Sequence, residues 1–172
     1  PTRVWFTEPG GNRLAQLVVT STTDYDLYEY PLPDSLPNAR PQDLYVQDLD
    51  RIWFTAPWVT RIGRLRPSRW PSSNAFDFIY TSGGNQPWAI EVDSGGYPWF
   101  TDIVMNKFGQ FYPQTLSFVN WYSLPQANSG PYDIAIGQGL IWFTERDGHR
   151  VGQLDPMTRT FREFSLPGSR PL

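Results

Sequence analysis

Apolar and polar residues alternate in short runs along most of the chain, and no stretch sustains a 3.6-residue apolar period, so strands rather than helices are predicted. The strongest runs are near-copies of one phrase: Val4-Trp5-Phe6-Thr7, Ile52-Trp53-Phe54-Thr55, Pro98-Trp99-Phe100-Thr101 and Ile141-Trp142-Phe143-Thr144. Their tryptophans recur about every 45 residues, a period of propeller blades rather than helical hairpins. Eight residues after each tryptophan stands a basic residue, Arg13, Arg61, Lys107 or Arg150. Each base opens a second run of apolar, small, Gln or Arg, then apolar residues, as in Arg150-Val151-Gly152-Gln153-Leu154. Two strands joined by a turn are predicted, with Gly10-Gly11-Asn12 and Asp147-Gly148 as turn formers.

Two further runs complete the unit. Upstream, Pro41-Gln42-Asp43-Leu44-Tyr45-Val46, Pro87-Trp88-Ala89-Ile90-Glu91-Val92 and Pro131-Tyr132-Asp133-Ile134-Ala135-Ile136 each lead an alternating strand. Downstream, strands are predicted at about Tyr28 to Leu32, Phe76 to Tyr80, Phe118 to Leu124 and Thr160 to Leu166. The fold expected is all-β, a β-propeller of four-stranded antiparallel blades at about 1–37, 41–82, 87–126 and 131–168, forming one domain segment. The first blade lacks its opening strand. A handover phrase before blade two, Leu36-Pro37-Asn38-Ala39-Arg40-Pro41, is written again as Leu166-Pro167-Gly168-Ser169-Arg170-Pro171. These ends lead to the expectation of a segment of a longer propeller, or of a ring completed by a protein partner, since an open blade exposes an apolar face and a strand edge.

Composition narrows the function classes. Aromatic residues make up 16% of the chain, with 17 Pro and 14 Gly, which suits many short strands and turns and opposes disorder. The net charge of −3, without a basic run, argues against nucleic acid. No apolar stretch approaches the ~20 residues of a spanning helix. With no cysteine, disulfides, thiol catalysis and thiolate metal sites are all absent.

Trp-Phe-Thr-Glu, followed by His149-Arg150 and Val151-Gly152-Gln153-Leu154, resembles the virginiamycin B lyase (streptogramin lyase) repeat family, and the match extends over all four repeats. The resemblance implies a seven-bladed single-domain propeller, of which four blades are roughly half. It also implies elimination chemistry on a cyclic depsipeptide, with histidines as base and acid and carboxylates holding magnesium. In the family the working histidines follow the proline that opens a blade. The matching positions here are Gln42, Trp88 and Tyr132, and none of these side chains is a base near neutral pH. The acid that precedes that proline is replaced by Arg40, Gln86 and Gly130.

The residue after Trp-Phe-Thr is Glu8, Ala56, Asp102 and Glu145 in turn. The three acids are expected either to pair with the base five residues on (Arg13, Lys107, Arg150) or to converge near the pore rim as ligands for magnesium or another partner. His149, the only histidine, occupies a turn position that is Asn12, Thr60 and Asn106 elsewhere, and is read as a turn residue with a catalytic role as the alternative. The Trp-Phe pairs are read as core between blades. Trp58, Trp88 and Tyr132 are not demanded by the repeat and fall in loops of one face, where they suit a protein partner or a small-molecule or glycan ligand. Trp70 lies in an enlarged turn of blade two. The leading reading is a non-catalytic binding scaffold needing no cofactor. The alternative is a magnesium-dependent lyase-like or hydrolytic enzyme whose histidines lie outside this segment. Absence of cysteine, high proline and aromatic content and the family habit suggest a secreted or periplasmic protein.

Overall fold

The computed structural model describes residues 1–81 and 84–168 of the chain. The last residues of the second handover phrase, Ser169 to Leu172, lie outside the described residues. Four separate antiparallel sheets follow one another along the chain. The first has three strands, β1 (Thr2–Glu8), β2 (Arg13–Val19) and β3 (Tyr25–Pro31). The second is β4 (Leu44–Asp48), β5 (Arg51–Ala56), β6 (Arg61–Leu65) and β7 (Phe76–Tyr80). The third is β8 (Pro87–Val92), β9 (Pro98–Asp102), β10 (Lys107–Tyr112) and β11 (Ser117–Ser123). The fourth is β12 (Pro131–Gly137), β13 (Leu140–Glu145), β14 (Arg150–Asp155) and β15 (Thr160–Ser165). Each sheet is an up-and-down meander, and β4, β8 and β12 lie side by side as the inner strands of adjacent blades. This is a β-propeller of four-stranded blades, with the opening strand missing from the first.

Three cores sit between consecutive blades. Trp5, Leu14 and Tyr30 of the first sheet pack with Phe54 and Leu65 of the second. Trp53 and Ile62 of the second pack with Phe100 and Phe111 of the third. Trp99 and Phe108 of the third pack with Ile141 and Phe143 of the fourth. Successive side chains of a strand point to opposite faces, so Trp5, Trp53 and Trp99 face the following blade and Phe54, Phe100 and Phe143 the preceding one. Trp53 and Trp99 are 0% and 1% exposed, each such burial stabilising by roughly 1.5–3 kcal/mol. Trp142 departs from the core expectation: it is 37% exposed, with Phe164 stacked on it at 6.1 Å.

The small residue of the second run has a steric cause. Phe54, Phe100 and Phe143 lie in register opposite Gly63, Gly109 and Gly152. A Cβ at any of these glycines would fall inside the facing phenyl ring.

Opening strands differ from expectation at their first residues. β4 begins at Leu44 rather than Pro41, and register shifts fall between Pro87 and Ile90 in β8 and between Pro131 and Ile134 in β12. The third residue of each run turns its N–H away from the ladder to a threonine hydroxyl: Asp43 to Thr55 at 3.2 Å, Ala89 to Thr101 at 3.0 Å and Asp133 to Thr144 at 3.1 Å. The resulting bulge re-aims the neighbouring side chains.

Candidate functional site

The threonine of the repeated phrase reaches across the blade junction as well. Thr7 Oγ1 donates to the Gln42 carbonyl at 3.3 Å, Thr55 to that of Trp88 at 2.7 Å and Thr101 to that of Tyr132 at 3.2 Å. Thr55 and Thr101 therefore each accept from their own opening strand and donate to the next. The backbone held in this way belongs to the positions where the lyase resemblance places histidine. Gln42, Trp88 and Tyr132 thus share one end of the propeller, on the same side as the handovers.

That end carries a continuous aromatic row. Trp58 and Trp88 rings lie 6.0 Å apart and Trp88 and Tyr132 5.3 Å apart, across three consecutive blades. Trp58 reaches the row from a short 3-10 turn, Pro57–Val59, and is 53% exposed. Trp88 and Tyr132 are half-buried. A guanidinium caps each end: Arg40 over Trp58 at 5.8 Å and Arg146 over Tyr132 at 5.6 Å. Arg40 holds a left-handed backbone, φ 48°, with its N–H bound to Asn12 Oδ1 at 2.9 Å. The three aromatics singled out from sequence are therefore brought together, and the arginines at the ends of their row were missed.

Beside the row lies a shallow cleft of about 150 Å³ lined by Gln42, Asp43, Trp88, Ala89, Tyr132 and Asp133. Burial pushes the Asp43 carboxyl above its ordinary range and the Asp133 charge adds to this, against hydrogen bonds from the Ile90 and Leu44 amides. Glu91 is likewise raised, by burial first and then by Asp43 and Asp133. Sequence reasoning passed over these acids, although Pro41-Gln42-Asp43 and Pro131-Tyr132-Asp133 repeat the same Pro-x-Asp opening.

The acids that follow Trp-Phe-Thr do not converge, because each is anchored in the turn of its own blade. Glu8 Oε2 meets Arg13 Nε at 2.5 Å, and Glu145 Oε2 meets Arg150 Nη2 at 2.6 Å. Arg150 continues to Gln126 Oε1 at 2.8 Å and Ser129 Oγ at 3.1 Å, tying the handover to the blade. Asp102 does not pair with Lys107. Its Oδ1 accepts the amides of Met105 and Gln86 at 2.9 and 3.2 Å, while Lys107 Nζ sits over the Trp121 ring at 4.0 Å. Burial raises the Asp102 carboxyl despite those bonds, and its Oδ2 is buried without a partner. Opposite Ala56, Arg61 lies over the Tyr80 ring at 4.3 Å. Among the described residues no three His, Asp or Glu side chains are placed to hold a metal ion. Glu8, Asp102 and Glu145 thus stand apart, each in the turn of its own blade.

His149 is a turn residue by geometry. Its φ of 53° matches 51° at Asn12, 53° at Thr60 and 54° at Asn106. Asn12 and Asn106 clamp the handovers, their Nδ2 bonding the carbonyls of Leu36 and Gln126 at 3.1 and 2.6 Å. The His149 carbonyl accepts the Leu166 N–H at 3.0 Å in the same way as the Asn106 carbonyl accepts that of Leu124 at 3.1 Å. Trp70, away from the rim, packs edge-on against Tyr30 at 5.8 Å and Phe76 at 6.0 Å, and so joins the first two blades.

Blade architecture, inter-blade threonines and an aromatic rim define the chain as a β-propeller segment. Its structure is similar to catalytically inactive virginiamycin B lyase from Staphylococcus aureus with quinupristin, at TM-score 0.79 and 26% identity, over 96% of this chain and 53% of that one. A streptogramin B lyase structure gives TM-score 0.79 and 28% identity, over 96% of this chain and 52% of that one. The chain thus spans about half the length of the lyase structures it matches. A chain of the nidogen/laminin complex shares the fold alone, at TM-score 0.69 and 10% identity, over 95% of this chain and 59% of that one. No protein-family profile and no curated protein sequence matches.

Proposed function

We propose that this propeller is a non-catalytic scaffold that binds a segment of a protein partner along the rim formed by Trp58, Trp88 and Tyr132. The observation that carries the reading is the stacked row itself: half-exposed aromatics with an arginine at either end have the composition of interface hot spots. The row stands where the related lyases would need histidine, and Gln42, Trp88 and Tyr132 supply no base. Aromatic faces suit apolar or planar side chains of the partner, and Arg40 and Arg146 suit acidic residues at its flanks. Further blades, from the same polypeptide or from a partner, would cover Trp142 and Phe164.

Selection of displayed peptides against the full chain, followed by calorimetry of the enriched sequences, tests the reading. Enriched peptides should carry an apolar or aromatic centre with acidic flanks and weaken at least about tenfold against Trp88→Ala, the loss of one hot-spot anchor. Failure to enrich, or binding indifferent to Trp88→Ala, would sink it.

The identity to the lyases favours a second reading, a lyase whose histidines are supplied by sequence outside this segment. The intact mass and termini of the native polypeptide, with its turnover of quinupristin in magnesium followed by mass spectrometry, separate the two: the lyase reading requires added sequence with Pro-His openings and ring opening by that longer polypeptide. The scaffold reading requires no turnover.

A further inference from the structure

At the opposite end of the propeller from the aromatic rim, the junction between the third and fourth blades opens into a cavity of about 560 Å³. Comparison of the repeats explains its origin. In the second blade, Arg64 lies in register between Trp53 and Asp77. Its guanidinium bonds Asp77 Oδ2 at 2.5 Å, covers the Trp53 ring at 5.1 Å and crosses the junction to the Pro113 carbonyl of the third blade at 2.8 Å. Phe111 fills the remaining space against Trp53 at 5.3 Å. The same four places in the next junction are Gln110 opposite Asn120, with Pro156 and Leu154 across the gap. A pair of carboxamides stands where blade two has its ion pair; Gln110 is the residue type of Gln16 and Gln153, so the bridging Arg64 and the filling Phe111 are peculiar to the second junction.

From this difference we infer that the cavity between the third and fourth blades is a binding site for a neutral, hydroxyl-rich ligand, a saccharide. Tyr97 is the aromatic ring it presents, backed by Trp99 and Tyr122, which are 1% and 6% exposed. Its uncharged polar side chains include three amides, Gln110, Asn120 and Gln138, and the Ser94 hydroxyl, each able to donate and accept. Among the described residues Gln110 Oε1 and Asn120 Nδ2 have no protein partner, so one acceptor and one donor are free to meet hydroxyls. The charged groups nearby are already engaged. Asp93 accepts from the Gly95 and Tyr97 amides at 2.9 and 3.0 Å and from the Trp99 indole at 2.8 Å. Arg159 donates to Asn120 Oδ1 at 3.0 Å and lies over Tyr122 at 5.7 Å. Both charged side chains thus bond neutral partners, and a sugar can bond the amides and the Asp93 carboxylate while lying against Tyr97. The volume falls within the range of roughly 300–1,000 Å³ usual for small-ligand sites.

The repeat itself supplies a blocking variant. Gln110→Arg with Asn120→Asp rebuilds the second blade's arrangement and sends a guanidinium toward the Pro156 carbonyl. Gly137→Leu is an independent block: Gly137 lines the cavity, and a Cβ there meets nothing within 4 Å, so the substitution enters open space. The full chain is titrated by calorimetry and tryptophan fluorescence with cellotriose, maltotriose, xylotriose and chitotriose at millimolar concentration, after cooperative unfolding has confirmed that each variant is folded. Saturable binding of at least one of these, lost in a folded blocking variant and unchanged in Trp88→Ala, is the expected result. No saturable binding of any of the four overturns the inference, as does binding that survives the blocks. Binding lost in Trp88→Ala but not in the blocked variants places the sugar on the rim and overturns it equally.

Discussion

Replacing Thr101 by valine keeps the branched shape and strand preference of the side chain and removes only its hydroxyl. Thr101 is fully buried, accepts the Ala89 N–H at 3.0 Å and donates to the Tyr132 carbonyl at 3.2 Å. Ala89 is buried too, so its amide is left without a partner or water, which costs about 1–3 kcal/mol. The lost bond to Tyr132 adds about 0.5–1.5 kcal/mol. A loss of about 3 kcal/mol corresponds to a fall in melting temperature of roughly 6–12 °C for a domain of this size. Thr144→Val is the control: its hydroxyl accepts only the exposed Asp133 amide at 3.1 Å, and water replaces that bond at a cost of under about 1 kcal/mol. Thermal unfolding of both variants by circular dichroism decides the matter. If they melt together, the threonine is not a two-sided latch and the reasoning from burial fails.

Two further outcomes follow from packing and from charge. Gly109→Ala drives a Cβ into the buried Phe100 ring and should destabilise by about 1–3 kcal/mol in urea unfolding, whereas Gly137→Ala meets nothing within 4 Å and should be neutral or slightly stabilising. Burial holds the Asp102 carboxyl above its ordinary pKa. Between that ordinary value, about 3.9, and the raised one, the folded chain binds more protons than the unfolded chain, so stability falls as pH rises through this window. Asp102→Asn keeps the acceptor for Gln86 and Met105 and cannot ionise, so its stability relative to the natural chain should improve from about pH 4 upward. A difference independent of pH in denaturant titrations would refute that assignment.

Strand order and register were legible because the phrase repeats: Trp, Phe and the glycine nine residues later stand at fixed spacing, and the antiparallel pairing of Phe54 with Gly63 follows from it. What lay across blades was not legible. Spacing along one repeat says nothing about the angle between repeats, and Glu8, Asp102 and Glu145, alike in position, were free to converge until geometry fixed each in its own turn. Lys107 could not be assigned to Trp121 rather than Asp102, since a cation five residues from an acid satisfies either partner. The threonine was visible in every copy and its purpose was not, because its acceptor lies more than thirty residues away in the next blade. Trp58, Trp88 and Tyr132 were found by their departure from the repeat, a signal that also marks Arg64, whose place is glutamine in the other three repeats.

Each blade has a front that offers tryptophan and a back that offers phenylalanine over glycine, or over Ala15 in the first, so neighbours meet front to back. Such a contact is heterologous and never satisfies itself, since the acceptor surface of one unit is chemically different from the surface it presents onward. Blade number is therefore not written in any single interface. Gene duplication can lengthen the array one unit at a time without inventing a new contact, and ring size is left to the wedge angle at which closure first becomes possible.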